Sequence, residues 1–218
     1  MKKMEDEIRQ RIRAVLSKEF TTITTNLEQT DEFLTLLNNS ETKTNLTLEV
    51  LNEFMTLTEN CIDRKLTVAV ASTYLLFFEG CYVADLDEVC LLLIRNGHDL
   101  YDLLKRKYVK NLEEIGNIDI STKFRFLEEH GLKDIINEEF RELRNKIAHL
   151  DFEALDNGEI SIKNNKINVI IKLKELLSHT RELVIIIAEV IAEQRKTLLQ
   201  LSNQLSNEAK NSLKQKAK

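Results

Sequence analysis

Proline and tryptophan are absent from this chain of 218 residues, and it contains only 5 glycines. Sandwiches and barrels need frequent turn residues between their short strands, so this scarcity argues against an all-β fold. Leu, Glu and Lys, which favour helices, are abundant. The composition therefore predicts an all-α fold, and with 43% apolar and 31% charged residues the chain can bury a core and stay soluble.

Cysteine is also scarce. The three cysteines, Cys61, Cys81 and Cys90, are odd in number and show no Cys-x-x-Cys spacing. A disulfide framework or a structural zinc site needs such pairs. We therefore expect these thiols to be buried core residues in a reducing compartment.

Long apolar runs are missing as well. The strongest, residues 66–78 and 183–191, are shorter than the ~20 residues that a membrane span requires. The first residues are charged and contain no apolar run of the kind found in secretory signals. These observations predict a cytoplasmic protein with no membrane partner.

An excess of positive charge is missing too, because the formal net charge is −5. A global basic field for nucleic acid is therefore excluded, and any such binding must depend on local patches. Carboxylates at metal-ligand spacing form no convincing cluster. We expect neither a metal nor another cofactor.

The first part of the chain, residues 4–37, carries apolar side chains at three- and four-residue spacing, which predicts a long amphipathic helix. Its stripe is narrow, as in helices that pack on one partner helix. Residues 1–44 are therefore predicted to be an N-terminal amphipathic helix. Two interpretations stay open: an arm for dimerisation, or a helix that lies along its own domain.

The following residues, 45–204, are predicted to form one helical bundle. Its expected elements are one or two helices over 44–80 with 68–78 most buried, a helix over 84–110, a looser connection over 114–131, a helix over 133–150 and a final helix from 166 past 199. Asp156-Asn157-Gly158 fits either a type I′ hairpin or a loop whose glycine ends a helix. Residues 205–218 are expected to be a polar, basic tail that frays.

A basic run with interleaved tyrosines ends the predicted helix over 84–110. Cations there can neutralise phosphates, and tyrosines can stack on bases. Cations near a helix C-terminus can equally complement the helix dipole, and both interpretations stay open. The candidate nucleic-acid contacts in this run are Lys105, Arg106, Lys107, Tyr108 and Lys110.

The helix predicted over 133–150 carries the residues with chemical potential. At about 100° per residue, its core stripe consists of Ile136, Phe140, Leu143, Ile147 and Leu150. Arg144 lies on the flank of that stripe, and Asn145 and His149 are neighbours on the far side. An imidazole can transfer protons, and a guanidinium binds phosphate and stabilises charge on phosphorus. Together they suit attack of a ribose 2′-hydroxyl on its own 3′-phosphate without a metal.

The bare pattern of Arg followed by His is a weak signal, because Arg125 and His130 fit it too. His130 precedes Gly131, so we interpret it as the last turn of a helix that glycine ends. It also has two acidic neighbours, and no Asn follows its Arg. A surface histidine near a helix end remains the alternative interpretation of His149.

The segment Leu143-Arg144-Asn145-Lys146-Ile147-Ala148-His149 in a helical chain resembles the Arg-Asn-x3-His motif of the HEPN superfamily. The resemblance covers roughly residues 47–199 and leaves the N-terminal helix outside. It implies an up-and-down four-helix bundle that dimerises, here with an additional long N-terminal helix. The two motifs would then meet across the homodimer interface in one composite active site.

The same resemblance implies a metal-independent endoribonuclease acting on single-stranded or loop RNA in toxin–antitoxin, antiviral or CRISPR-linked defence. Arg144 and His149 would be catalytic, Asn145 would support them, and Lys146 is a candidate RNA contact. An antitoxin or another defence protein would be a further partner. One branch carries a Tyr two residues after the His, where this chain has Asp151. The alternative is a non-catalytic module that binds RNA or nucleotides or assembles with proteins.

Overall fold

The computed structural model describes residues 2–23, 45–53, 55–56, 63–136, 138–164 and 167–216. Helices dominate this part of the chain, and two small antiparallel sheets accompany them. The prediction of an all-α fold is therefore right for the helical majority, but it missed the strands.

Helix α1, Lys2–Ile23, lies along the rest of the domain. Ile12 and Leu16 are buried in the common core. Arg9 pairs with Glu189 at 2.8 Å. Arg11 pairs with Asp134 at 2.8 Å. The described part of α1 thus packs on its own chain. Residues 24–37 of the predicted helix lie outside the described residues, and a role in dimerisation stays a prediction.

The central element joins α2, Arg64–Phe77, and α3, Val83–Arg95, through a π-helical turn, Phe78–Tyr82. Asp63 caps its start by accepting a hydrogen bond from the Lys65 N–H at 2.8 Å. By length and composition this helix, Arg64–Arg95, could cross a membrane, and half of its most apolar stretch is buried inside the protein. Residues 45–53 and 55–56 are also helical, so the described part of the region predicted as one or two helices contains a helical segment ahead of α2.

Two of the three cysteines lie on this central element. Cys81 and Cys90 are buried and are not part of a disulfide. Their burial agrees with the prediction, and Cys61 lies outside the described residues. Burial raises the pKa of the Cys90 thiol, chiefly by desolvating the thiolate. A thiol in this environment is unreactive.

The prediction of a helix over 84–110 is wrong beyond Arg95, where the helix ends. Gly97 adopts a left-handed conformation with φ +92°, and the Gly97 and His98 N–H groups donate to the carbonyls of Ile94 and Leu93. This is a glycine-terminated helix end. The chain then forms a short antiparallel hairpin, β1 Tyr101–Asp102 and β2 Lys107–Tyr108.

The prediction of a looser connection over 114–131 is also wrong, because two helices cover most of this range. Helix α4, Leu112–Gly116, and helix α5, Ile120–Glu129, are capped by Asn111 and Asp119 respectively. Their cap side chains accept hydrogen bonds from backbone N–H groups three residues ahead. Asn and Asp are preferred residues at such cap positions, so both helix starts carry a signal in the sequence.

Helix α6, Glu138–Ala148, follows a 3₁₀ turn, Lys133–Ile135, so the motif helix is shorter than predicted at both ends. The Tyr82 hydroxyl donates to the Ile135 carbonyl at 2.6 Å and ties the π turn to this segment. Leu143 and Ile147 are buried, as the predicted core stripe requires. Leu150 does not fit that stripe, because it is 71% exposed with φ 54° after the helix has ended. The Phe140 side chain lies outside the described residues.

A three-stranded antiparallel sheet of β3, Glu153–Ala154, β4, Glu159–Asn164, and β5, Ile167–Lys172, follows. Asn157 and Gly158 have φ values of 64° and 71° between β3 and β4, which confirms the hairpin alternative. The final helix, α7 Leu173–Lys216, begins later than predicted because β5 precedes it. The region predicted as a fraying tail is helical as far as Lys216.

Candidate active site on helix α6

Helix α6 packs on α2 of the central element. Leu143 and Ile147 supply its buried face. Because Arg144 follows Leu143 by about 100° around the helix, its half-buried side chain lies at the edge of this contact. The edge of α6 therefore faces the π turn that joins α2 to α3.

Glu79, in the π turn, holds the Arg144 guanidinium. The Arg144 Nε donates to Glu79 Oε1 at 2.5 Å, and the Arg144 Nη2 contacts the same oxygen. The Arg144 Nη1 donates to the Asn145 Oδ1 at 2.9 Å. A guanidinium has five N–H groups, so one on each Nη is left without a partner among the described residues. N–H groups on the two Nη atoms of one guanidinium can bind two oxygens of a phosphate.

His149 is the first residue after α6, and its side chain is exposed. Its backbone N–H donates to the Asn145 carbonyl at 3.1 Å. Asn145 therefore contacts both of the other motif residues, with its side chain on Arg144 and its backbone on His149. The three predicted residues thus lie on the last turns of α6 and just beyond its end.

Side chains of both charges surround the C-terminal end of α6. Lys146 forms an ion pair with Asp151. The Lys146 ammonium, chiefly through this hydrogen bond, holds the pKa of Asp151 below its usual range, and His149 adds a smaller effect of the same sign. Lys146, a predicted RNA contact, must exchange Asp151 for a phosphate in order to bind RNA.

The other predicted nucleic-acid contacts lie elsewhere, on the hairpin β1–β2. Arg95 follows Glu79 by 16 residues, which is about 24 Å along the helix axis at ~1.5 Å per residue, and the hairpin begins beyond Arg95. Since the run is not helical, the helix-dipole interpretation does not apply to it. Lys107 pairs with Glu114 at 2.5 Å.

The competing pair, Arg125 and His130, has a structural explanation. His130 ends α5 next to Gly131, whose φ is +79°, as predicted. Its Nδ1 lies 2.7 Å from the Phe126 carbonyl oxygen. Its ring also packs against the His98 ring, with 4.4 Å between centroids. These contacts hold His130 in place as part of the fold.

Glu79 is the residue that sequence reasoning missed. The signal in the sequence was a charged residue, Glu79, followed by Gly80 directly after the apolar run 68–78. π-helical turns are frequent at functional sites. Its partner on α6, however, becomes visible only in the folded chain. Within the described ranges, no group of three His, Cys, Asp or Glu side chains is placed to hold a metal ion.

No protein-family model, curated protein or solved structure matches this chain. Its function must therefore be inferred from the motif residues and from the contacts that Arg144, Asn145 and His149 make.

Proposed function

We propose that this protein is a metal-independent endoribonuclease of HEPN type that cleaves single-stranded or loop RNA. The observation that carries the proposal is the Arg144 guanidinium, held by Glu79 and Asn145 on the helix that ends just before the exposed His149. The helical core around α2, α3, α6 and α7 would correspond to the four-helix bundle of that family. The setting would be toxin–antitoxin, antiviral or CRISPR-linked defence in the cytoplasm.

In the proposed reaction, the two remaining N–H groups of Arg144 bind the scissile phosphate and stabilise the charge that develops on it. A base takes the proton of the ribose 2′-hydroxyl while its oxygen forms a bond to phosphorus. The bond from phosphorus to the 5′-oxygen breaks, and an acid protonates that oxygen. The products carry a 2′,3′-cyclic phosphate and a 5′-hydroxyl. An imidazole can serve in either role.

One chain supplies one imidazole to this surface, whereas the reaction uses a base and an acid. A homodimer that faces two α6 helices would provide both. The exposed Ala148 and Leu150 support this arrangement, because a small side chain permits close approach and an apolar one favours burial. The composite site is therefore part of the proposal.

The experiment that tests the proposal mixes the purified protein with labelled single-stranded RNA in EDTA. We expect cleavage to products with 2′,3′-cyclic phosphate and 5′-hydroxyl ends, and a dimer by solution mass measurement. Absence of cleavage would refute the nuclease proposal. A strict monomer that cleaves RNA would refute the composite site alone.

Replacing Glu79 with Ala is expected to lower kcat for cleavage about tenfold, because the guanidinium loses the partner that orients it. Glu79→Gln keeps one acceptor oxygen and should retain more activity. The pair is partly exposed, so the free energy of unfolding should change little. Steady-state kinetics and chemical denaturation measure the two quantities.

The matched control for this test is Glu142→Ala, which removes an exposed acid from the same helix as Arg144. It should leave kcat unchanged. Equal losses in the Glu79 and Glu142 variants would show that general charge, and not the contact with Arg144, determines the rate. In that case Glu79 has no positioning role.

A second candidate function is a non-catalytic binding or assembly module. The same ion pair favours it, since the Glu79 carboxylate neutralises the cation that would bind phosphate, and the chain is acidic. This candidate predicts an RNA or protein complex whose stability does not change in Arg144→Ala. A pull-down with both forms of the protein distinguishes it from the nuclease.

A further inference from the structure

The hairpin formed by β1 and β2 is firmly anchored at its base. Leu100 and Val109 are buried in the core, and the Val109 N–H donates to the Leu100 carbonyl at 2.9 Å. Tyr101 and Tyr108 form the next cross-strand pair, with their rings edge to face and 5.0 Å between centroids. The domain core therefore fixes the position of the whole hairpin.

Hydrogen bonds within the hairpin hold the loop at its tip. The buried Asp102 carboxylate accepts hydrogen bonds from the Leu104 and Lys105 N–H groups at 3.0 and 3.1 Å. Arg106 adopts a left-handed conformation with φ 51°, which is uncommon for a residue with a side chain. Glu114 accepts a bond from the Lys110 N–H at 2.9 Å and braces the second strand. These contacts hold the tip in one conformation.

This ordered tip presents apolar side chains to solvent. Leu104 is 83% exposed and Leu103 is 56% exposed, and the flanking Tyr108 and Tyr101 are 56% and 37% exposed. Leu103 and Leu104 lie within the range that was predicted to be a helix over 84–110. A contiguous exposed apolar patch rimmed by polar residues is typical of an interaction surface.

The hairpin also carries an excess of positively charged side chains. Residues 101–110 contain four cations and one acid, Asp102, in a chain whose net charge is −5. Asp102 is 3% exposed and lies 3.9 Å from the Lys105 ammonium. Glu114 pairs with Lys107 and offsets part of the positive charge, and the surface of the segment keeps an excess of cations. The cations flank the apolar tip directly in sequence. The partner that fits this surface is therefore both anionic and apolar.

We propose that the hairpin β1–β2 docks on the surface of an anionic lipid membrane, with Leu103 and Leu104 in the interfacial region and the cations on lipid phosphates. Tyrosines favour the level of the headgroups, which is where the base of the hairpin would lie. RNA fits less well, because leucine offers no ring for base stacking and the two tyrosine rings pack on each other. This inference does not depend on the site at α6, and it replaces the sequence-based expectation that the protein has no membrane partner.

The test is co-sedimentation of the full chain with vesicles of phosphatidylcholine alone or of phosphatidylcholine with phosphatidylserine. We expect binding to the anionic vesicles only, and weaker binding at high salt. The double replacement Leu103→Ser with Leu104→Ser should lower the affinity about tenfold or more, since apolar burial contributes to interfacial binding. Both sites are exposed, so circular dichroism should show an unchanged fold.

The matched control is Leu76→Ser, at a leucine on α2 that is 73% exposed, and it should bind anionic vesicles like wild type. Three results would overturn the proposal: no binding to anionic vesicles, equal loss in the Leu76 variant, or equal binding to neutral vesicles. Labelled single-stranded RNA is tested in parallel. If the cations at 105–107 are needed for RNA binding and vesicles do not compete, the hairpin is an RNA surface.

Discussion

Replacing His149 with Ala is expected to lower the rate of RNA cleavage by about 100-fold or more, because proton transfer by a positioned side chain contributes roughly 10²–10⁴-fold to such reactions. His149 is exposed beyond the end of α6, so the folded state should not change. The rate is measured with labelled RNA in EDTA, and circular dichroism checks the helical content.

The control for this prediction is His179→Ala, an exposed histidine on α7, which should cleave RNA at the wild-type rate. If the His149 and His179 variants cleave equally well, His149 takes no part in the reaction. A gel-shift assay with RNA that carries 2′-deoxyriboses measures binding separately. A His149→Ala variant that binds this RNA normally but does not cleave the unmodified strand would assign the residue to chemistry.

Asp87→Ala is expected to destabilise the protein by about 3–5 kcal/mol, the typical cost of leaving one member of a buried ion pair uncompensated. Its partner, Lys123, is 2% exposed, and the Lys123 Nζ lies 2.6 Å from the Asp87 Oδ1. The pair joins α3 to α5. Urea denaturation measures the free energy of unfolding, and the melting temperature should fall by roughly 10 °C.

The control replaces both partners with apolar residues, Asp87→Leu together with Lys123→Met, and this variant should recover most of the lost stability. Burial raises the pKa of Asp87, and Lys123 opposes this without cancelling it. The folded protein thus disfavours the charged carboxylate despite its partner. If Asp87→Ala costs less than about 1 kcal/mol, water reaches Lys123 and the pair is not buried in the way described.

Sequence patterns predicted the features that depend on neighbours along the chain. The spacing of Leu143 and Ile147 identified the buried face of α6, and the Gly after His130 identified the end of α5. Asn157-Gly158 favoured a hairpin because both residues tolerate positive φ. In each case a few consecutive residues determine the local backbone, so no tertiary information was needed.

The errors have a common physical cause, which is that apolar periodicity alone does not show where a helix ends. Leu100, Leu103 and Leu104 have helical spacing, yet Gly97 stops the helix and the buried Asp102 organises a turn in its place. Strand β5 was included in the final helix for the same reason. Burial of a polar anchor such as Asp102 depends on residues distant in sequence.

The sequence by itself determined that this protein is mainly helical, that Arg144, Asn145 and His149 share the end of one helix, and that His130 ends another. Only the tertiary structure decided that Glu79 holds Arg144, that Asp87 meets Lys123, and that Leu103 and Leu104 face solvent. Local elements follow from side-chain spacing and backbone preference, which are properties of neighbouring residues. Contacts such as that between Glu79 and Arg144, 65 residues apart, form only when packing of the apolar core brings separate helices together.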